Sequence, residues 1–276
     1  MKWIGTEEMK QLELDILRAF ITYCETHELR YFLFAGTLIG AVRHNGFIPW
    51  DDDIDVAMPR PDYNRFMELV KTQPVAEHLR IYDCHDPSPS YWAPMTKLVD
   101  DRTASDEIYQ GKGVHNGVWV DIFPVDGLPA DEGERAKLFK RLKRERTLLT
   151  LETLPFVFTK NPIKLLKRIL VYPIYLFCRN KNHKIRAIRI NDLAAQYAYE
   201  DHDLVTVTSD GTAHEGRVMQ KQVVEHTMPH PFETLTAQIP VEYDTLLRKM
   251  YGDYMTPPPA HLQIPIHRCR FWWKED

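Results

Sequence analysis

The chain has 276 residues, 44% of them hydrophobic and 11% aromatic, enough for one large domain or two small ones around a buried core. Its formal net charge of −4 argues neither for nor against a nucleic-acid partner. The four cysteines (Cys24, Cys84, Cys178, Cys269) form no CxxC pair, which speaks against a structural zinc site or a disulfide framework.

The N-terminus, MKWIGTEEMK, shows no secretory pattern, and no run of 18 apolar, uncharged residues predicts a spanning helix. Residues Thr6 to Glu28 read as an amphipathic helix, with Met9, Leu12, Ile16, Leu17, Phe20, Ile21 and Cys24 at three- and four-residue spacing. Thr6 is its expected N-cap, with Glu7 and Glu8 in the first turn. Tyr31 to Ala35 reads as a short buried strand. Gly36-Thr37 then opens a short helix to His44, and Asn45-Gly46 signals a turn. A strand over Ile54 to Met58 and a helix over Pro61 to Lys71 follow. Leu79 to Cys84, Pro94 to Val99 and Val118 to Phe123 read as further strands.

The middle of the chain is different. From Glu134 to Arg189 there are 16 Lys and Arg against 3 Glu, a net of +13, while the remainder carries −17. Helices are expected over Asp131 to Thr150 and Lys181 to Tyr199, with an apolar run over Leu165 to Phe177 that Lys167, Arg168 and Pro173 interrupt. Short strand-like pieces follow at Thr206 to Thr208, Arg217 to Met219 and Val223-Val224. A helix over Val241 to Tyr251 and a proline-rich return over Tyr254 to Pro265 close the chain. Strands and helices without strict alternation indicate an α+β, or mixed α/β, fold.

The stretch FIPWDDDIDVAMPR concentrates chemistry. Asp51, Asp52, Asp53 and Asp55 sit beside apolar residues that lower the local dielectric, so something positive must offset their repulsion. On strand alternation, Asp51, Asp53 and Asp55 share one face while Asp52, Ile54 and Val56 share the other. Three convergent carboxylates suit Mg²⁺ or Mn²⁺, with substrate phosphates completing the shell. A solvated acidic turn is the plainer alternative, and the apolar IDVAM continuation disfavours it. Gly36-Thr37, between a strand and a helix, forms a candidate phosphate cradle, with Arg43 and His44 nearby. Asp121, the one acid in the VWVDIF run, is a candidate metal ligand or base; a buried Asp paired with Arg or backbone is its plainer reading.

The run GTLIGAVRHNGFIPWDDDIDVAMPRPDYNRF resembles the signature of the LicD family. Weaker matches follow in order: KLVDDRT, VWVDIFPVDGLP and the segment from His230 to Pro259. The basic middle carries no such resemblance. The resemblance implies a nucleotidyltransferase-like core with a mixed sheet flanked by helices. It also implies an enzyme that moves a phospho-alcohol from a CDP carrier to a sugar hydroxyl and releases CMP. On it, Gly36 and Thr37 match the phosphate-contacting turn, Asp53 and Asp55 the D-x-D metal ligands, Asp51 a third member, and Asp121 the later acid. Lys97 and Arg102 fall where basic residues meet the diphosphate, with Arg43 as a further donor contact. Asp52 matches the pattern but is expected to face away.

The expected organisation is a catalytic core over 1–130, a basic helical insert over 131–200, and a C-terminal part over 201–276 that completes the core and cleft. CDP-choline is the expected donor and a lipid-linked glycan, teichoic acid-like or lipopolysaccharide-like, the expected acceptor. Ribitol or glycerol phosphate, or transfer of the nucleotide itself, are the alternatives. Tyr91, Trp92, Trp119, Trp272 and Trp273 are candidates for an aromatic box around the choline ammonium. The insert mixes Lys and Arg with Leu, Ile, Tyr and Phe. It reads equally as a membrane-docking surface at the inner face of the cell membrane or as a helical subdomain with solvated basic faces. No nucleic-acid motif accompanies it. A cytoplasmic location is expected.

Overall fold

A computed structural model describes residues 2–85, 91, 93–106, 117–153, 165, 166, 169, 172, 173, 183–209, 213–265, 267 and 269–275. The chain enters as a short strand, β1 (Lys2–Ile4), and turns at Gly5 into helix α1 (Thr6–Thr26). All seven apolar residues of the expected stripe are buried. The cap differs from expectation: Gly5 is the N-cap, its carbonyl accepts the Met9 N–H at 2.8 Å, and Thr6 is already helical. Strand β2 (Phe32–Leu33) leads into helix α2 (Ala35–His44), which ends on Asn45 in the left-handed region, φ 55°. Strand β3 (Asp55–Pro59) then passes directly into helix α3 (Arg60–Leu69).

Strands β4 (Leu79–Tyr82) and β5 (Thr96–Asp100) fall within the expected apolar runs, and β6 (Thr103–Ser105) follows. Strand β7 (Trp119–Leu128) runs well past Phe123 and is buried at every position. Helices α4 (Glu132–Thr153) and α5 (His183–Ala194) form the described part of the basic region. The apolar run over Leu165 to Phe177 lies largely outside the described residues. Strands β8 (Leu204–Val207) and β9 (Met219–Gln220), helix α6 (Gln222–Glu225), strands β10 (Thr227–Phe232) and β11 (Leu235–Pro240), helix α7 (Tyr243–Tyr251) and strand β12 (Phe271–Trp273) complete the chain. Val223 and Val224, read as strand-like, are buried in α6 instead; burial overrides their β preference.

The result is an α+β fold. Its main sheet is mixed, in the order β2-β3-β7-β5-β4, with β8 and β9 continuing from the second half of β7. Only β3 and β7 run parallel; the other pairs in this sheet are antiparallel. Strand β7 is its spine, because β3 and β5 flank its first half and β8 pairs with its second. A separate three-stranded sheet, β1-β12-β6, joins the two ends of the chain. The β10–β11 hairpin braces the turn after α2: the Glu233 N–H donates to the Asn45 carbonyl at 2.7 Å, and its carboxylate accepts the Phe47 N–H at 2.9 Å.

A buried ion pair closes the far end of the β3–β7 ladder. Arg60 Nε donates to Asp126 Oδ1 at 2.6 Å, with the two side chains 7% and 0% exposed. The Thr208 hydroxyl donates to the other Asp126 oxygen, and Arg60 also donates to Asn191 on α5 at 3.0 Å. Gly127 is needed alongside, since a Cβ there would lie 2.7 Å from the Ala198 carbonyl oxygen. Removing one partner of such a pair strands a buried charge. Asp126→Ala is therefore expected to destabilise the fold by about 3–5 kcal/mol, read from urea unfolding. A loss below about 1 kcal/mol would show that Arg60 reaches water without Asp126.

Candidate active site

The parallel register of β3 and β7 sets Asp55 directly opposite Asp121. Asp53, in the loop before β3, joins them: one carboxylate oxygen from each of the three lies within 4.8 Å of the others. The alternation expected for Asp51, Asp53 and Asp55 does not apply, because the strand begins only at Asp55. The loop, not a pleat, brings Asp53 to Asp55.

The start of α2 shapes that loop. Ala35 is left-handed (φ 47°), Phe34 N–H donates to the Asp55 carbonyl at 2.9 Å, and the helix begins immediately. Gly36 must lack a Cβ, since one would sit 2.6 Å from Asp51 Oδ2. The buried Thr37 hydroxyl accepts the Asp55 N–H at 2.8 Å. The two residues expected to cradle phosphate thus have visible neighbours of another kind: Gly36 admits Asp51, and Thr37 positions Asp55.

The charges in this space disturb one another. Asp51 hydrogen-bonds Asp53, and burial, then the charges of Asp53 and Asp52, raise its pKa from 3.8 to about 7. Burial, then Asp53 and Asp121, push Asp55 well above the ordinary carboxylate range. Burial also raises Asp121, opposed first by Lys97. Asp121 Oδ2 accepts the Trp119 Nε1–H at 2.9 Å. Its Oδ1 has no hydrogen-bond donor among the described residues, although the buried Lys97 ammonium stands 3.4 Å away. An orphaned oxygen within an all-carboxylate set fits a hard divalent cation, which Asp53, Asp55 and Asp121 could hold.

The expected basic residues are distributed differently. Lys97 lies within the site, paired with Asp121 and 3.5 Å over the Trp119 ring. Arg102 chelates Asp100, three residues along β5 from Lys97, and lies over the Trp273 ring. Arg43, at the last turn of α2, donates to the Tyr254 carbonyl at 2.8 Å and to His44. The candidate aromatics form no open box among the described residues. Lys97 covers Trp119, the Tyr91 hydroxyl donates to the Met95 carbonyl, Trp272 meets Trp3 edge-on, and Lys2 and Arg102 lie over Trp273. Trp92 lies outside the described residues.

Two further residues belong here. Glu13, on α1, is 2% exposed, and its Oε2 has no hydrogen-bond partner among the described residues. Burial, then Asp53 and Asp52, raise its pKa well above the ordinary range. Its signal was legible: it lies on the apolar stripe, four residues after Met9 and four before Leu17. His267 had no such signal. Its Nε2 lies 3.0 Å from Asp53 Oδ2, and its backbone N–H donates to Asp52 Oδ2 at 3.2 Å. Asp52, expected to face away, instead receives the C-terminal segment.

The central parallel pair of a mixed sheet gathers three carboxylates, and comparison with known proteins gives the class of the protein. Residues 28–159 match the family described as LicD/FKTN/FKRP, nucleotidyltransferase domain. Over 268 residues, 97% of each chain, the sequence is 32% identical to lipopolysaccharide cholinephosphotransferase LicD of Haemophilus influenzae. Shorter matches are an uncharacterised protein of Rickettsia typhi, 42% identical over 52 residues (17% of each chain), and one of Rickettsia prowazekii, 37% identical over 76 residues (24% of this chain, 29% of the other). The chain belongs to the LicD family, and it is a phosphotransferase.

The crowded acids predict a pH dependence. Asp51, Asp55, Asp121 and Glu13 bind protons more tightly folded than unfolded, so above the unfolded values of 3.8 to 4.5 the folded state holds more protons. Stability therefore falls as pH rises through this window, up to about 7 for Asp51. His267 acts in the same direction: burial, the largest influence, lowers its pKa, but the Asp53 hydrogen bond and the charges of Asp53 and Asp121 together raise it, so its stabilisation is lost as pH rises. In EDTA, the thermal midpoint is expected to drop between pH 5 and 8. A flat or rising profile would contradict this electrostatic description.

Proposed function

We propose that the enzyme transfers phosphocholine from CDP-choline to a sugar hydroxyl of a lipopolysaccharide-like glycan precursor, releasing CMP, with Mg²⁺ or Mn²⁺ held by Asp53, Asp55 and Asp121. The observation that carries this reading is the convergence of those three carboxylates around an orphaned Asp121 oxygen. The choice of choline and of a lipopolysaccharide-like rather than teichoic acid-like acceptor is supported by the name of the Haemophilus influenzae relative. When bound, the cation would neutralise charge on the donor diphosphate. The hydroxyl oxygen attacks the choline-bearing phosphorus, a new P–O bond forms, and the bond to CMP breaks with its electron pair leaving on CMP. Where Asp53 and Asp55 alone hold the cation, Asp121 would accept the hydroxyl proton. Lys97 would restrain the Asp121 charge, and Thr37 would hold Asp55 at the mouth of α2.

The experiment supplies Mg²⁺ and a panel of CDP-choline, CDP-ribitol, CDP-glycerol and CTP, and measures CMP release. Release is expected with CDP-choline and should fall roughly a hundredfold or more in Asp53→Ala and Asp55→Ala, given the several kcal/mol a catalytic cation supplies. Preference for a CDP-polyol would replace the donor. Pyrophosphate release from CTP would make the enzyme a nucleotidyltransferase.

The acceptor is taken to be lipid-linked, with the basic region docking at the membrane. No helix among the described residues is long and apolar enough to cross a membrane. Between α4 and α5 lies a groove of about 540 Å³ lined by Arg141, Arg144 and Arg189, and Leu166, Ile169 and Ile185 are exposed nearby in the chain. Although Glu145 and Asp192 also line the groove, exposed cations and exposed apolar side chains in one region of the chain suit an anionic lipid surface. The protein is expected to float with vesicles containing anionic phospholipid and not with neutral ones. Arg141→Glu/Arg144→Glu/Arg189→Glu should abolish flotation, and equal flotation of this variant would overturn the docking reading.

A further inference from the structure

The acidic loop is fastened from the far end of the chain. His267 reaches Asp52 through its backbone N–H (3.2 Å) and Asp53 through Nε2 (3.0 Å), although 214 residues separate His267 from Asp53. Its imidazole also stands edge-on to Trp119, with centroids 5.5 Å apart, and Trp119 donates to Asp121. One side chain therefore touches Asp53 directly and Asp121 through one intermediary. Its own position is secured. The Cys269 thiol donates to the His267 carbonyl at 3.4 Å, Arg270 clasps Asp106 with its backbone N–H and its Nε, both at 2.7 Å, and β12 pairs on both edges.

A carboxylate turns easily about its last side-chain bond, because that torsion has broad minima. A donor fixed on one oxygen sets its plane. Outer groups that orient ligands in this way typically change metal affinity by about 10–100-fold when removed. This role rests on the cation reading above, and no motif in the sequence assigns it. We propose that His267 is the positioning residue of the phosphotransfer centre: by its Nε2 hydrogen bond it holds Asp53 in the orientation that binds the divalent cation, so that the C-terminal segment completes the cation site.

The test measures Mn²⁺ affinity of the full chain by the electron paramagnetic resonance signal of free Mn²⁺, which needs no substrate and no turnover. His267→Phe keeps the aromatic contact with Trp119 and removes the donor. His267→Gln restores a donor at the same reach. His267→Phe is expected to weaken Mn²⁺ binding about 10–100-fold, and His267→Gln to stay within about threefold of wild type. Thermal midpoints are recorded for each. Should His267→Phe not fold, His267→Asn, whose amide falls short of Asp53, takes its place. Unchanged affinity in His267→Phe overturns the inference alone, as does equal weakening by Phe and Gln, which would mark a packing role. A wild-type protein that binds no Mn²⁺ overturns both the cation reading and this inference.

Discussion

Everything around the centre answers one constraint: β3 and β7 run parallel in a register that sets the half-buried Asp55 against the buried Asp121. Two carboxylates in low dielectric cannot both stay ionised cheaply. Asp53 and Asp51 add to the same field, and Glu13 faces it from α1. Among the described residues, only part of the opposing charge is supplied. Lys97 pairs with Asp121, and His267 pairs with Asp53. The remaining deficit is the physical case for a cation, and for a substrate whose phosphates share it.

The two ends of the same ladder contrast. At one end the acids lack enough positive partners, and an oxygen is left without a donor. Five residues on, Asp126 is matched by Arg60, Thr208 and, through Arg60, Asn191 of α5. The second arrangement pairs Arg60 with Asp126 and ties the basic region to the sheet, with Arg60 Nη2 left without a hydrogen-bond partner among the described residues. The first is held in an unsatisfied state by α2, the hairpin and the C-terminal segment. Unsatisfied buried charge kept in place by so many supports is what a chemical site requires.

Much of this was legible in the sequence. The stripe on α1, the Asn45-Gly46 turn, the D-x-D acids and the isolated Asp121 all carried local signals that the structure places as read or nearby. What was not legible depended on distant pairing. The expected strand ends at Phe123, whereas β3 and β8 pair across Pro124, Asp126 and Gly127 and carry β7 to Leu128. Residues 51–54 were read as pleated, whereas the close approach of Gly36 to Asp51 makes them a loop. Arg102, which the resemblance sets at the diphosphate, pairs with Asp100 two residues away. His267 could not have been found, since only the pairing of β12 with β1 and β6 carries it to Asp53.

The most direct test of the account is the anomalous scattering of Mn²⁺ in crystals grown with CDP-choline. The account predicts a peak bridging Asp53, Asp55 and Asp121, with carboxylate oxygens about 2.0–2.2 Å away and a donor phosphate oxygen in the same shell. Well-ordered carboxylates with no peak between them, or Mn²⁺ bound elsewhere, would contradict it and leave the buried acids without their proposed purpose.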